Sequence, residues 1–482
     1  MSNDLKQTWK ALYANAPRQL ERMRDVGGVA SVFNANIDAV LKVSPEKFLG
    51  WVAQEGFKAE EVAGEGPKRI GSHADVLRGF LYCFRQGIAQ EWLVTDEDAF
   101  NWMREHLGYE RLQMGGQGGI IANVMAVAGV KQVYVHCASL PKQQAHLFLD
   151  RASLVSADQN GVLKQASHID RFKDLPLIHW ILEFDKGAKI TIGGETYICP
   201  KSNRFIATYD PLNFILHVDR GLDAALSEAS NPLDVILLSG YQMLSEPLHG
   251  LAAGSGLKRI TDSWAQVQAW KAAHPNAVVH FEFASTQDLK IRKALAEQLA
   301  PHADSVGCNE QELIDMLEVL GELELAIDAK AMDSVSLFKG LAFVFEKIKL
   351  KRLQLHMFGL YVTLLRPGTE KDGPAFQALA NRDGMAFAAT IAAAKAGTGS
   401  IEREENLLWA HGQTVADHSL KELKALDAFM VERYDQTGLA ETGMVSTKHF
   451  NVIAVPTILI EKPVTLVGMG DTISSLSLVG AR

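Results

Sequence analysis

The chain holds four cysteines in 482 residues, Cys83, Cys137, Cys199 and Cys308, and none stands in a Cys-x-x-Cys pair. That scatter supports neither a structural zinc nor a disulfide framework and is the usage of reduced cytosolic thiols. No charge-free apolar run approaches the roughly 18 residues of a membrane helix. The opening Met1-Ser2-Asn3-Asp4-Leu5-Lys6 is polar, without the apolar centre of a signal peptide. Basic tracts are missing too: 48 Lys and Arg against 57 Asp and Glu leave a net charge of −9, which gives no electrostatic footprint for nucleic acid. Repeats, heptads and low-complexity segments are absent. What remains is 47% hydrophobic and 22% charged, ordinary for a globular chain long enough for two or more units. The expectation is a cytoplasmic protein that acts on small molecules, with no nucleic acid or membrane as partner, as a monomer or small homo-oligomer.

Short β-branched runs alternate with longer helical patterns, which predicts an α/β fold around a mostly parallel sheet flanked by helices. The expected core strands are Val29–Phe33, Gln132–His136, Asp234–Leu238, Ala277–Phe281 and Val464–Val467. Lys189–Ile192 and Glu195–Ile198 around Gly193-Gly194 read as a hairpin, and Arg204–Thr208 as another strand. These predict a smaller, mainly β unit. The expected division is a discontinuous large domain of residues 1–45, 113–174 and 216–482, with residues 46–112 and 175–215 forming the small one.

The densest chemistry lies in Gly468-Met469-Gly470-Asp471, after an apolar run and before a hydroxyl-rich helix start. Two glycines allow successive N–H groups to converge on an anion at a helix N-terminus, and a carboxylate beside them can take a proton from an attacking hydroxyl. Such a turn can also simply join a strand to a helix. Asn36 and Asp38, after the first strand, offer donor and acceptor groups for sugar hydroxyls, or equally an Asx turn. The Gly115–Ile120 loop lacks the spacing of a Walker loop, and Phe33–Asp38 has no glycine, which excludes a Rossmann fingerprint. His280 and Glu282 share a strand face, and Asn309 and Glu312 stand one helical turn apart, as a capping box also would. Glu282, Glu312 and Asp471 together suit a hydrated Mg²⁺, other divalent cations remaining open.

The ordered set Asn36/Asp38, Gly115–Ile120, Ile178–Phe184, Asn203–Ile206, His280–Ser285, Asn309–Glu312 and Gly468–Ser474 resembles the ADP-dependent sugar kinases, the glucokinase and phosphofructokinase group of the ribokinase-like superfamily. The resemblance spans nearly the whole chain. It implies a ribokinase-like large domain with a mainly β lid, ADP as phosphoryl donor, AMP as product and a hexose as acceptor. On this resemblance Asp471 is the catalytic base, and the N–H groups of Gly468, Met469, Gly470 and Asp471 form the anion hole. Glu282 and Glu312 organise the metal. Arg204 and Asn309 attend the nucleotide, with His449, Val452 and Val455 on its adenine side. Asn36, Asp38, Glu91, Gly116, Gln117 and His179 bind the sugar.

Glu91 lies in a segment resembling that of glucokinase-type members. A carboxylate accepts from sugar hydroxyls but repels a phosphate dianion, which favours glucose over fructose 6-phosphate. A 6-phosphofructokinase, a bifunctional enzyme and a non-catalytic sugar or nucleotide sensor are the alternatives.

Overall fold

The computed structural model describes residues 2–248, 254–465 and 468–482. Its main sheet has eleven strands in the order Met444–Ser446, Asn451–Pro456, Leu360–Leu365, Arg352–Met357, Ser305–Cys308, Val278–Glu282, Val235–Leu238, Val29–Val32, Val133–Val135, Leu154–Ala157 and Leu163–Gln165. The seven from Arg352–Met357 to Leu154–Ala157 are mutually parallel, and antiparallel strands close both edges.

Helices cover both faces, so alternate residues of one strand enter different cores. Ala30, Val32, Ile236 and Leu238 join one apolar cluster, whereas Val29, Val133, Val235 and Leu237 join the other. Burial on both faces makes these strands continuous apolar runs, which is why four of the five expected strands are present. The fifth is not found as expected: Val464 and Thr465 carry no strand, and Leu466 and Val467 lie outside the described residues.

The second sheet has the order Gln90–Leu93, Asn203–Tyr209, Ile178–Phe184, Asn36–Lys42, Arg111–Gly115. The expected hairpin forms beside it, with Gly193 at φ 59° and Gly194 at φ 82° supplying the left-handed turn. The expected boundaries at 45/46 and 112/113 do not follow the sheets, because Asn36–Lys42 pairs with both Ile178–Phe184 and Arg111–Gly115.

Helices pack on the small sheet. Ile37, Ala39, Trp180, Leu182, Phe205 and Ala207 pack on Phe48, Phe80, Phe84 and Phe100 of helices Pro45–Glu55, His73–Gln86 and Glu97–His106. The intervening residues Asn36, Asp38, His179, Ile181, Arg204 and Ile206 therefore emerge on the opposite face. That face meets the main sheet.

Candidate active site

Between the two sheets lies a cavity of about 280 Å³. The small sheet contributes Asn36, Asp38, Glu91, His179, Ile181, Arg204 and Ile206, and the large one Asn34, Gly116, Gln117, Ile120, Gln242, Met243, Gly468 and Asp471. All six expected sugar ligands and the expected base thus share one chamber. It stands at the C-terminal ends of the parallel strands, where open α/β sheets place ligands.

Asp471 occupies the first turn of helix Met469–Val479, whose N-cap Gly468 adopts φ 63°. First-turn N–H groups have no carbonyl four residues back within the helix to bond, and Met469, Gly470 and Asp471 occupy those positions here. Gln117 fixes the carboxylate. Its Oε1 accepts the Gly240 N–H at 2.8 Å, which turns its Nε2 to donate to Asp471 Oδ1 at 2.9 Å. Burial raises the Asp471 pKa, opposed by this hydrogen bond and by the charge of Lys395. Lys395 Nζ donates to Gly468 O and Thr472 Oγ1, each at 3.2 Å, and its own pKa is pushed down to about 8 by burial.

At the sugar end, Asn36 Nδ2 donates to Asp38 Oδ1 at 2.9 Å. His179 Nε2 meets Asp210 Oδ2 at 3.0 Å, and its Nδ1 stands 4.0 Å from Glu91 Oε1. Burial presses the His179 pKa down, but Asp210, Glu91 and Asp38 outweigh it and hold the pKa above its ordinary value. In the cavity lining three buried oxygens have no hydrogen-bond partner among the described residues: Asn34 Oδ1, Asn36 Oδ1 and Gln242 Oε1. All three residues line the cavity. Buried acceptors are satisfied almost without exception, so these call for a ligand rich in hydroxyl donors.

The acidic cluster differs from expectation. Glu282, Glu312 and His356 bring ligand atoms within 4.8 Å of one another, and His356 stands where Asp471 was expected. Asp471, held by Gln117, is not in this group of ligand atoms, yet its charge acts on both glutamates. Burial, with each other's charge and that of Asp471, raises Glu282 well above the carboxylate range, and Glu312 is pushed up to about 8 mainly by burial. Crowded, buried carboxylates of this kind fit a divalent cation, and two of them match the sparse protein ligation of Mg²⁺. Asn309 and Glu312 also form the reciprocal capping box, at 3.0 and 2.8 Å. One Glu312 oxygen is thus engaged by the helix cap.

The remaining expected residues divide. Arg204 lines the cavity, and its guanidinium makes no ion pair among the described residues. Val452 and Val455 are wholly buried in the core. His449 is a correction. It precedes strand Asn451–Pro456, which runs in the same direction as the parallel set, so His449 stands at the end of the sheet opposite Asp471 and borders a separate groove with Phe343 and Tyr434. In the Gly-rich loop the N–H groups of Gly118 and Gly119 bond the Phe33 and Asn34 carbonyls.

Sequence reasoning missed Asn34, Gln242, Asp210, His356 and Lys395. Asn34 carried a signal in its neighbour Asn36. Lys395 carried none, standing in the alanine-rich helix Ala378–Thr398.

Residues 27–480 match the family described as the ADP-specific phosphofructokinase/glucokinase conserved region. The chain belongs to that family. Its ADP-dependent kinase relatives include an ADP-dependent glucose/glucosamine kinase of Pyrococcus furiosus, 30% identical over 98% of both chains. An ADP-specific phosphofructokinase of Methanosarcina acetivorans is 29% identical over 98% of this chain and 96% of its own. Among solved structures, the last common ancestor of ADP-dependent phosphofructokinases from Methanosarcinales superimposes with a TM-score of 0.84 at 29% identity, covering 100% of this chain and 98% of that one. An ADP-dependent kinase in complex with fructose 6-phosphate and ADPβS gives 0.81 at 28% identity, over 98% and 97%. The fold is that of this kinase family, and the protein is an ADP-dependent sugar kinase. No helix among the described residues is long and apolar enough to cross a membrane.

Proposed function

We propose that the protein transfers the β-phosphoryl group of ADP to glucose, giving glucose 6-phosphate and AMP, in the cytoplasm. The observation that carries this reading is the lining of the cavity: carboxylates Asp38 and Glu91 and three unpartnered amide oxygens surround the space in front of Asp471. Such a lining accepts hydrogen bonds from a polyol and repels a phosphate dianion.

Asp471 takes the proton of the attacking hydroxyl, while the N–H groups from Gly468 to Asp471 hold the migrating phosphoryl group. Glu282 and Glu312 would hold Mg²⁺, which when bound neutralises charge on the phosphoryl oxygens. Arg204 reaches the nucleotide phosphates from the lid side. Asn309 attends the nucleotide at the same helix start as Glu312, and Val455 and Val452 back its adenine side from within the core. Closure of the small sheet over the cavity keeps water from competing with the sugar hydroxyl.

Fructose 6-phosphate is the second reading. A neighbouring cavity of about 680 Å³ shares Glu91, Gln242 and Met243 with the sugar chamber and has Lys68 and Arg69 in its wall, where a remote phosphate would find cations. Glucose or fructose 6-phosphate, each with ADP or ATP and Mg²⁺, is assayed for AMP and phosphosugar. Glucose with ADP is expected to give the highest kcat/KM. A higher value with fructose 6-phosphate replaces the first reading by the second.

Glu91→Gln removes the charge while keeping the size. Loss of one hydrogen bond to a charged group is worth about 1.5–3 kcal/mol, so kcat/KM for glucose should fall roughly ten- to a hundredfold, with a smaller change or a gain for fructose 6-phosphate. Equal losses on both sugars would remove Glu91 from the specificity argument.

The base role also has a pH signature. Asp471 works only when ionised, so a pKa raised by burial places the acid limb of kcat above the ordinary aspartate value of 3.8. Lys395 opposes that rise. Lys395→Met should therefore shift the limb to still higher pH, and an unmoved limb in the kcat–pH profile would contradict the coupling.

A further inference from the structure

Arg352 is completely buried within the main sheet. No carboxylate stands within ion-pair distance of it among the described residues. Its guanidinium donates instead to three neutral oxygens, Asn381 Oδ1 at 2.7 Å, Ser305 Oγ at 2.9 Å and Gln354 Oε1 at 2.8 Å. A buried cation with no carboxylate in contact is costly, and Glu282 is the opposite charge that acts on it through space. The register shows where the interaction leads: Arg352 lies beside Ser305, and Ser305 beside His280, on three adjacent parallel strands. Glu282 follows two residues later, on the same face as His280.

Both ends of this relay suit one sense. Arginine only donates, so Ser305 Oγ accepts from Arg352 and has its own hydrogen free for His280 Nδ1, 2.8 Å away. At the far end the Glu282 carboxylate, ionised when it holds a divalent cation, only accepts. His280 Nε2 lies 3.2 Å from Glu282 Oε2 and 2.9 Å from Ser474 Oγ, on the helix that carries Asp471. Nε2 therefore carries the ring hydrogen and Nδ1 accepts. Both end groups are satisfied by that one tautomer.

The junction leaves little freedom. A Cβ on Gly307 would fall 2.1 Å from Glu282 Oε2 and 2.2 Å from Ser474 Oγ.

We propose that Arg352 is a positioning residue for the divalent-cation site: acting through Ser305, it sets the His280 tautomer that anchors Glu282 Oε2 and leaves Oε1 turned to Glu312 and His356. Oε1 stands 3.5 Å from His356 Nε2, within the cluster of potential ligand atoms. The inference rests on the reading of Glu282 as a metal carboxylate, and its test separates the two.

Mn²⁺ binding to the full-length protein without nucleotide is read from the free-ion EPR signal, together with kcat at saturating metal and the glucose dissociation constant. Loss of an outer-sphere partner of a metal ligand typically costs about 10–100-fold in affinity. Ser305→Ala and Arg352→Met should each weaken Mn²⁺ by about tenfold or more, with most of kcat recovered at saturating metal and glucose binding unchanged. Should Arg352→Met fail to fold, Ser305→Ala interrupts the same link with the loss of one oxygen atom. Wild-type Mn²⁺ affinity in Ser305→Ala, alongside weakened binding in Glu282→Gln, overturns the inference alone. Equal affinity in the wild type and Glu282→Gln overturns the metal reading and the inference together.

Discussion

Asp471→Asn is expected to lower kcat by roughly 10²–10⁴-fold, the range general-base catalysis contributes, while the dissociation constant for glucose stays within a few-fold of wild type. The substitution keeps the shape of the side chain and removes its ability to take a proton. Gln117 can still contact it, since Gln117 is oriented by its own bond to Gly240 N at 2.8 Å. Sugar binding should survive because Asp38, Asn36, Glu91 and His179 come from the opposite sheet and do not depend on Asp471 for their hydrogen bonds. Single-turnover rates and equilibrium glucose binding on the same preparation decide the matter. Unchanged turnover would remove Asp471 from the chemistry, and loss of glucose binding in step with kcat would make it a sugar ligand instead.

The second large effect is expected from a residue with no side chain. Gly115 ends strand Arg111–Gly115, and a Cβ there would stand 2.0 Å from Asp38 Oδ1 and 2.4 Å from Asn36 Nδ2. Both atoms belong to side chains, so Gly115→Ala displaces the two sugar ligands and leaves the backbone able to fold. Gly116 is a poorer test. It has φ 73°, and its Cβ would strike the Asn34 carbonyl at 2.4 Å, so a substitution there strains the chain itself. With Asp38 and Asn36 both disturbed, Gly115→Ala should cost at least about 3 kcal/mol of sugar binding, more than a hundredfold in KM for glucose. The thermal midpoint should move little and the KM for ADP should stay near wild type. A normal glucose KM would show that the Asn36–Asp38 pair does not hold the acceptor.

Legibility in the sequence followed burial and locality. The parallel strands are enclosed on both faces and read as apolar runs, and the Gly193-Gly194 hairpin is specified by two adjacent residues. Strands Arg352–Met357 and Leu360–Leu365 escaped notice because they bury Arg352, Gln354, His356 and Thr363. Polar residues at such positions are tolerated only where distant partners bond them, as Asn381 and Ser477 do here. His449 misled for a geometric reason. The resemblance put it with Val452 and Val455 on the adenine side, yet a strand advances about 3.3 Å per residue, and His449 precedes strand Asn451–Pro456, at the end of the sheet away from Asp471.

Residue order alone specifies the local pieces: which runs bury on both faces, where glycine permits a turn, and which carboxylates and amides sit beside those turns. Their order along the chain was enough to identify the kinase family. Which of these groups meet depends on how the elements pack. Gln117 reaches Asp471 across 354 residues of chain, and His280 reaches Ser474 across 194. His356 rather than Asp471 completes the acidic cluster because strand order and direction, set by packing the two faces of the sheet, place it there. Covalent spacing fixes what lies within one element. The pairing of elements is fixed by the burial that all of them share.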